Sequence, residues 1–149
     1  MYNRIDRIAV SEIDITDDTY RISLTGDIET FSRSIAAIGL IQPPIVQETG
    51  AGHRIISGFA RVGACRQCGM NAIEARILDA DRSPLECQQL AIADNALTRP
   101  LNVWEVAAAA EKLSAYYPTA EAACRAGDPL GLSLSPELLE KYRRLLALP

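Results

Sequence analysis

The spacing of apolar and polar positions changes several times along the chain, and each change marks an element. Arg7–Val10 alternates, with Ile8 and Val10 to one side, and predicts a short strand followed by an acidic loop over Asp14–Asp18. From Asp27 to Ile38 the period turns helical, because Ile28, Phe31, Ile35 and Ile38 recur on one face. Gly39 stands where a left-handed helix cap is wanted, with Leu40 placed to pack back. Gln42-Pro43-Pro44 forces an extended turn into a strand at Ile45–Gln47. Glu48–Gly52 then reads as a hairpin loop returning through His53–Ser57. After Gly58 the run Ala60–Cys68 predicts a helix closed by Gly69, and Ala72–Leu78 alternates as a further strand.

Beyond residue 80 only helices are predicted. Ser83-Pro84-Leu85-Glu86 is a capping box with proline in the first turn, opening a helix to about Leu97. Asn102-Val103-Trp104-Glu105 repeats the capping logic for a helix to about Tyr117, which Pro118 breaks. Short helices follow near Ala120–Ala126 and Pro136–Leu148. The predicted class is α+β: a small mixed sheet with packed helices, then an all-helical C-terminal part. The division is expected at Asp79–Ser83. A movable hinge is expected near Arg99-Pro100-Leu101, because proline disfavours helical geometry in the residue before it.

Composition narrows the class. With 149 residues, 48% hydrophobic and 23% charged, the chain has material for one ordinary core, which excludes disorder, a collagen repeat and a disulfide miniprotein. No apolar run approaches the roughly 18 residues of a membrane span, and the first residues lack a signal-peptide pattern, so a cytoplasmic location is expected. Cys65, Cys68, Cys87 and Cys124 are accordingly read as thiols. The net charge of −4 hides an uneven distribution. Seven acids face three arginines in residues 1–30, whereas Arg54, Arg61, Arg66 and Arg76 stand against Glu74 alone in residues 53–76. A local basic zone on an acidic chain points to a confined anion site more than to a broad nucleic-acid patch.

That zone holds the most informative stretch, Ile55-Ile56-Ser57-Gly58-Phe59-Ala60-Arg61. A strand that turns through Ser-Gly directly into a helix aims backbone N–H groups at the turn, and Gly58 would let an anion approach them. Arg61 lies in the first helical turn, within reach of the same anion. These are the parts of a phosphate cradle; the alternative is a plain strand-to-helix turn carrying a surface arginine. His53, Trp104, Tyr116 and Tyr117 read as a solvated histidine and packing aromatics.

Three ordered blocks make the chain resemble the N-terminal domain of ParB-like partition proteins, within the ParB/sulfiredoxin superfamily. Ser34-Ile35-x-x-Ile38-Gly39-Leu40-Ile41-Gln42-Pro43-Pro44-Ile45 is similar to that family's helix followed by "GLxQPxxV". Gly58-Phe59-Ala60-Arg61-Val62-Gly63-Ala64 resembles "GERRxRA", which binds nucleotide triphosphate in partition proteins. Asp94-Asn95-x-x-x-Arg99-x-Leu101-Asn102-x-x-Glu105-x-Ala107 resembles "ENxQRxxLxxxEEA". The end of the chain, through Tyr142-Arg143-Arg144-Leu145-Leu146-Ala147-Leu148-Pro149, is similar to the run "LRLLxLP" near the family's helix-turn-helix.

The departures are specific. Phe59, Ala60 and Gly63 replace the glutamate and two arginines of the second block, so one guanidinium stands where the family has three, and phosphate neutralisation is weaker. Asp94 replaces glutamate, and Arg99 falls one position late. Phe59 also occupies the place of the sulfiredoxin cysteine, which excludes that chemistry.

The resemblance implies a phosphate or nucleotide site made of Ser57, Gly58, Phe59, Ala60, Arg61, Gly39, Leu40, Gln42, Asn95 and Arg99. It implies CTP or ATP as ligand, with Mg²⁺ reached through phosphate by Asp94 and Asn95. Lys141, Arg143 and Arg144 are the DNA candidates; the alternative is that they form the wet face opposite Leu138, Leu139, Leu145 and Leu146. The organisation it implies is residues 1–82 as the core, 83–117 as a helical extension completing the site, and 118–149 as a partial helix-turn-helix region. The implied work is DNA binding in plasmid or chromosome partition or in transcription regulation, with a partition ATPase and a second copy of the chain as further partners. A nucleotide hydrolase, phosphotransferase or nuclease on the same scaffold is the alternative, as is an interaction module with a decayed site.

Overall fold

The computed structural model describes residues 4–24 and 28–149. Its described residues fall into two compact units, Met1–Arg21 with Thr25–Arg82, and Ile22–Leu24 with Ser83–Pro149.

The first unit is built on a five-stranded mixed sheet in the order β1-β5-β3-β4-β2. Its strands are β1 (Arg4–Ala9), β2 (Ile13–Asp14), β3 (Ile45–Thr49), β4 (Gly52–Ser57) and β5 (Ala72–Leu78). β1 runs antiparallel to β5 and β3 antiparallel to β4, whereas β3–β5 and β2–β4 are parallel. The alternation read in the last strand is realised: Ile73, Ala75 and Ile77 are buried, and Glu74 and Arg76 are exposed. The first strand starts earlier than its pattern suggested, at Arg4, and Val10 leaves it for a short 3-10 turn over Val10–Glu12. Ile13 and Asp14, expected to lead into a loop, pair with His53 and Arg54 instead. A two-residue strand exists only through its partner, so no local pattern announces it.

Helices α1 (Ile28–Ile38) and α2 (Phe59–Gln67) pack together beside the sheet. The expected start of α1 at Asp27 lies outside the described residues. The buried stripe of α1 runs through Ser32 and Ile35, while Phe31 and Ile38 are 40% and 68% exposed. Ile28, at the start of α1, reaches α2 at Gly63, which presents no side chain to it. A Cβ on Gly63 would lie 3.1 Å from Ile28 Cδ1. Ile35 joins Val10, Ile13, Ile55, Val62, Ala64, Cys65 and Ile73 in one apolar cluster. Gln47 is buried and donates its side-chain amide to the carbonyls of Asp79, Ala80 and Arg82, which fixes the chain as it leaves β5.

The second unit holds α3 (Pro84–Ala96), α4 (Val103–Ser114), α5 (Ala120–Gly127) and α6 (Pro136–Leu146). Each begins at a side chain that accepts a first-turn N–H: Ser83, Asn102, Thr119 and Ser135. Around Asn102 the full capping box forms. Ile92, Ala109, Leu113 and Leu132 make the core together with Ile22, which comes from the N-terminal part of the chain. Tyr117 packs at its edge, whereas Trp104 and Tyr116 keep about 40% of their surface in water. All four cysteines are free thiols. No helix among the described residues is long and apolar enough to cross a membrane.

Candidate anion site at the head of α2

Gly58 joins β4 to α2 and carries φ +101, a left-handed conformation that side-chain-bearing residues rarely adopt. It also meets a neighbour. A Cβ at this position would stand 2.9 Å from Pro44 Cβ and 3.1 Å from Pro44 Cα. The Gln42-Pro43-Pro44 loop is thus seated directly against the head of α2. Arg61 closes this arrangement, its Cζ 3.3 Å from the same absent Cβ. Arg61 Nη1 donates to the carbonyls of Gln42 at 3.0 Å and Pro43 at 3.2 Å.

Two of the sequence's three blocks therefore converge. Gly39, at φ +84, ends α1 with its N–H on the Ile35 carbonyl, and so sends Leu40 and Gln42 toward Gly58 and Arg61. Ser57 is buried, and Leu40 and Phe59 pack against the apolar cluster. The N-terminus of α2 differs from those of α3 to α6, because Gly58 supplies no side-chain cap. A helix start without a side-chain cap is electrostatically suited to an anion.

A second cation near this end escaped the sequence reading. Arg21 lies with its guanidinium carbon 5.0 Å from the centroid of the Phe59 ring. The ring stands where the family's glutamate is replaced, and the arginine comes from 38 positions earlier in the chain, so no local signal joined the two. The acidic segment beside it is tied down by Arg54, whose Nε donates to Asp17 at 2.7 Å. Against the raising effect of burial, the Thr19 hydroxyl, then Arg54 and the Thr19 N–H, hold the Asp17 carboxyl below its usual pKa. His53 is not the solvated side chain expected, for its Nδ1 is buried without a hydrogen-bond partner.

The remaining predicted residues lie in the helical unit. Asp94 and Asn95 occupy the last turn of α3, where Asn95 donates to the Ala91 carbonyl at 2.7 Å. Arg99 is engaged. Its two terminal nitrogens donate to the two carboxylate oxygens of Glu105 at 2.9 and 2.8 Å, and Nη2 also donates to Asn95 Oδ1 at 3.1 Å. A phosphate seeking Arg99 would compete with this fork. The Pro100 corner is clasped by it, and both sides of the corner belong to one unit, while the division of the chain falls at Arg82–Ser83. No group of three or more His, Cys, Asp or Glu converges as a metal site among the described residues.

Lys141, Arg143 and Arg144 are exposed on α6, opposite buried Leu139. Arg143 meets Glu111 at 3.3 Å and Arg144 meets Glu140 at 3.6 Å. Both pairs sit in water and hold their partners weakly.

Known proteins share this fold. The chromosome-partitioning protein ParB of Myxococcus xanthus is 31% identical over 86 residues, 58% of this chain and 28% of that protein. The chain spans only about a quarter of the length of the curated partitioning proteins it matches. Among solved structures, the C-terminally truncated ParB of Caulobacter crescentus complexed with CTP-γ-S superposes with a TM-score of 0.54 at 24% identity, over 98% of this chain and 80% of that one. The same protein complexed to the centromeric parS site gives 0.57 at 23%, over 97% of this chain and 73% of that one. Residues 1–95 match the model of the ParB N-terminal domain, and the chain belongs to that family.

Proposed function

We propose that this chain is the nucleotide- and DNA-handling part of a partition protein, binding the triphosphate of CTP at the head of α2. One observation carries the reading: α2 begins at left-handed Gly58 without a side-chain cap, with Arg61 folded back over that glycine. Backbone N–H groups at a helix start and one guanidinium are the donors a phosphate needs. The CTP-γ-S carried by the Caulobacter relative supports the choice of nucleotide. Ser57, Gly58, Phe59, Ala60 and Arg61 would hold the phosphates, with the Gly39–Gln42 turn as the neighbouring wall. Asp94 and Asn95 are the helical unit's candidates for a phosphate-bound Mg²⁺. ATP in place of CTP, a partition ATPase as partner and a homodimer belong to the same proposal.

Isothermal titration with Mg²⁺-CTP and Mg²⁺-ATP tests it. Arg61→Ala is expected to weaken binding about 10- to 100-fold, the worth of a charge-assisted hydrogen bond. Arg61→Lys, keeping charge but losing the fork, should fall between. Unchanged affinity in Arg61→Ala would overturn the assignment.

The parS complex of the Caulobacter relative supports DNA as the second ligand. Lys141, Arg143 and Arg144 on exposed α6 are the proposed phosphate contacts. With few cations the affinity of residues 1–149 should be weak, and because phosphate contacts dominate it should fall as salt rises. Each Ala substitution among the three should lower the salt slope by about 1. Tight, salt-insensitive binding would refute this part.

A further inference from the structure

The last turn of α2 carries Cys65-x-x-Cys68, followed by Gly69-Met70, a run of three sulfurs that the anion site leaves unused. Cys68 ends the helix with right-handed backbone and its N–H on the Ala64 carbonyl at 2.9 Å, so the two cysteines stand one turn apart on one helical face. Gly69, at φ +74, then reverses the chain. Its N–H donates to the Arg66 carbonyl at 3.0 Å, and the Met70 N–H donates to the Cys65 carbonyl at 3.1 Å. This pair of bonds is the Schellman closure, which brings the residue after the glycine back beside the one three places before the cap. Met70 thereby returns to Cys65 and packs against the apolar cluster that contains it. The chain beyond is pinned too, the Asn71 carbonyl accepting the Val10 N–H at 2.9 Å.

The two thiols share a neighbourhood and differ in access. Cys65 is fully buried, whereas Cys68 is exposed and its Sγ donates to the Ser32 carbonyl at 3.4 Å. Burial, and next the Cys68 side chain, push the Cys65 thiol above its usual pKa, so the sulfurs feel one another. Their spacing selects the chemistry. Residues three apart on a helix hold their Cβ atoms about 5–6 Å apart. A disulfide needs about 3.5–4.5 Å and would have to draw the helix end in. A metal ion about 2.3 Å from each sulfur spans the wider gap without that distortion. No His, Asp or Glu joins the pair to make a group of three among the described residues, so the usual zinc set is lacking. Thiolates with a thioether are soft donors, and soft donors select Cu(I).

The geometry points to a site for one soft monovalent cation, Cu(I), at the end of α2, held by the Cys65 and Cys68 thiolates with the Met70 thioether as third ligand. Binding exchanges one Cu⁺ for two thiol protons, while the thioether lends an electron pair and loses nothing; no electron is transferred. Cys68, the exposed member, receives the ion first and gives up its hydrogen bond to Ser32. The site stands apart from the nucleotide reading, which concerns the opposite end of α2.

Anaerobic titration of the reduced full chain with Cu(I), in competition with a chromogenic Cu(I) chelator, tests it. One ion should bind per chain, with release of two protons and a near-ultraviolet thiolate-to-copper band. Cys68→Ser should weaken binding by more than about 100-fold, the most that a residue merely supporting a ligand is worth. Met70→Leu, which keeps the packing, should weaken it at least about 10-fold and remove one sulfur from the copper coordination seen by X-ray absorption. Replacing Cys87 and Cys124, buried in the helical unit, by alanine should leave binding as in the wild type. Unchanged Cu(I) affinity in Cys68→Ser or in Met70→Leu would overturn the three-sulfur site. Failure of the wild-type chain to compete with the chelator would overturn it as well, and closure of a Cys65–Cys68 disulfide by oxidised glutathione in that same chain would make the thiols a redox pair instead.

Discussion

Gly58→Ala is expected to lower stability by about 2–4 kcal/mol and to abolish triphosphate binding, combining left-handed strain of about 1–2 kcal/mol with a packing clash of similar or greater size. Neither cost can be relaxed cheaply. The new methyl would meet Pro44 Cβ at 2.9 Å and Pro44 Cα at 3.1 Å, a ring and a backbone atom that cannot rotate aside. Pro44 is also tied to the sheet, its carbonyl accepting the Arg76 N–H at 2.9 Å. Either α2 or the Gln42–Pro44 loop must therefore move, and Arg61 moves with both. Gly39→Ala is the comparison. Gly39 also has positive φ, but a Cβ there would meet nothing within 4 Å. It should cost only about 1 kcal/mol, the conformational part alone. Thermal unfolding and calorimetry on both variants check this. Equal losses would show that the Pro44 contact is immaterial.

Glu105→Ala should cost about 2–3 kcal/mol, less than the roughly 3–5 kcal/mol of breaking a fully buried pair, because water reaches the abandoned Arg99. The Glu105 side chain is 6% exposed and that of Arg99 41%. At this chain length the loss is expected to lower Tm by about 6–10 °C. Glu105 also brings an acid dependence. The hydrogen bond from Arg99, helped by the Asn102 N–H, holds its pKa below the ordinary 4.5, against the opposing effect of burial. A carboxylate whose pKa is depressed on folding binds protons more readily when unfolded. Its contribution is therefore complete above the unfolded value and is lost as pH falls through the folded one. Wild-type Tm should decline as pH drops below about 4.5, and Glu105→Gln should flatten part of that decline. Asp17, Asp14 and Glu48, depressed in the same direction, keep the remainder. An identical acid profile in Glu105→Gln would show that the Arg99 clasp carries no net stability.

The candidate site was legible in sequence where its chemistry is local. A strand, a glycine and a helix with arginine in its first turn are consecutive, so Gly58 and Arg61 announce their own arrangement. Gly39 and Gln42 could be joined to them only through the family likeness, and tertiary packing against Pro44 supplied the contact. Arg21 was not readable at all, because nothing in Asp18-Thr19-Tyr20-Arg21 says that this side chain will lie over a ring 38 positions later.

Local signals settled the helix starts after residue 82, since a cap and the amides it accepts lie within one turn of chain. They settled the alternation of β5 for the same reason. What needed the folded structure were the features in which distant segments choose each other. The strand Ile13–Asp14 exists by pairing with β4. On α1 the stripe that periodicity favours was covered at Ile28 and Ile35, while Phe31 and Ile38 stayed exposed and Ser32 was buried in their place. Ile22 crossed into the helical core, and Arg99 closed on Glu105. Apolar periodicity says that a face must be covered and is silent on what covers it; a charge says that a partner is needed and does not name one. Those choices are made by the packing of the whole chain.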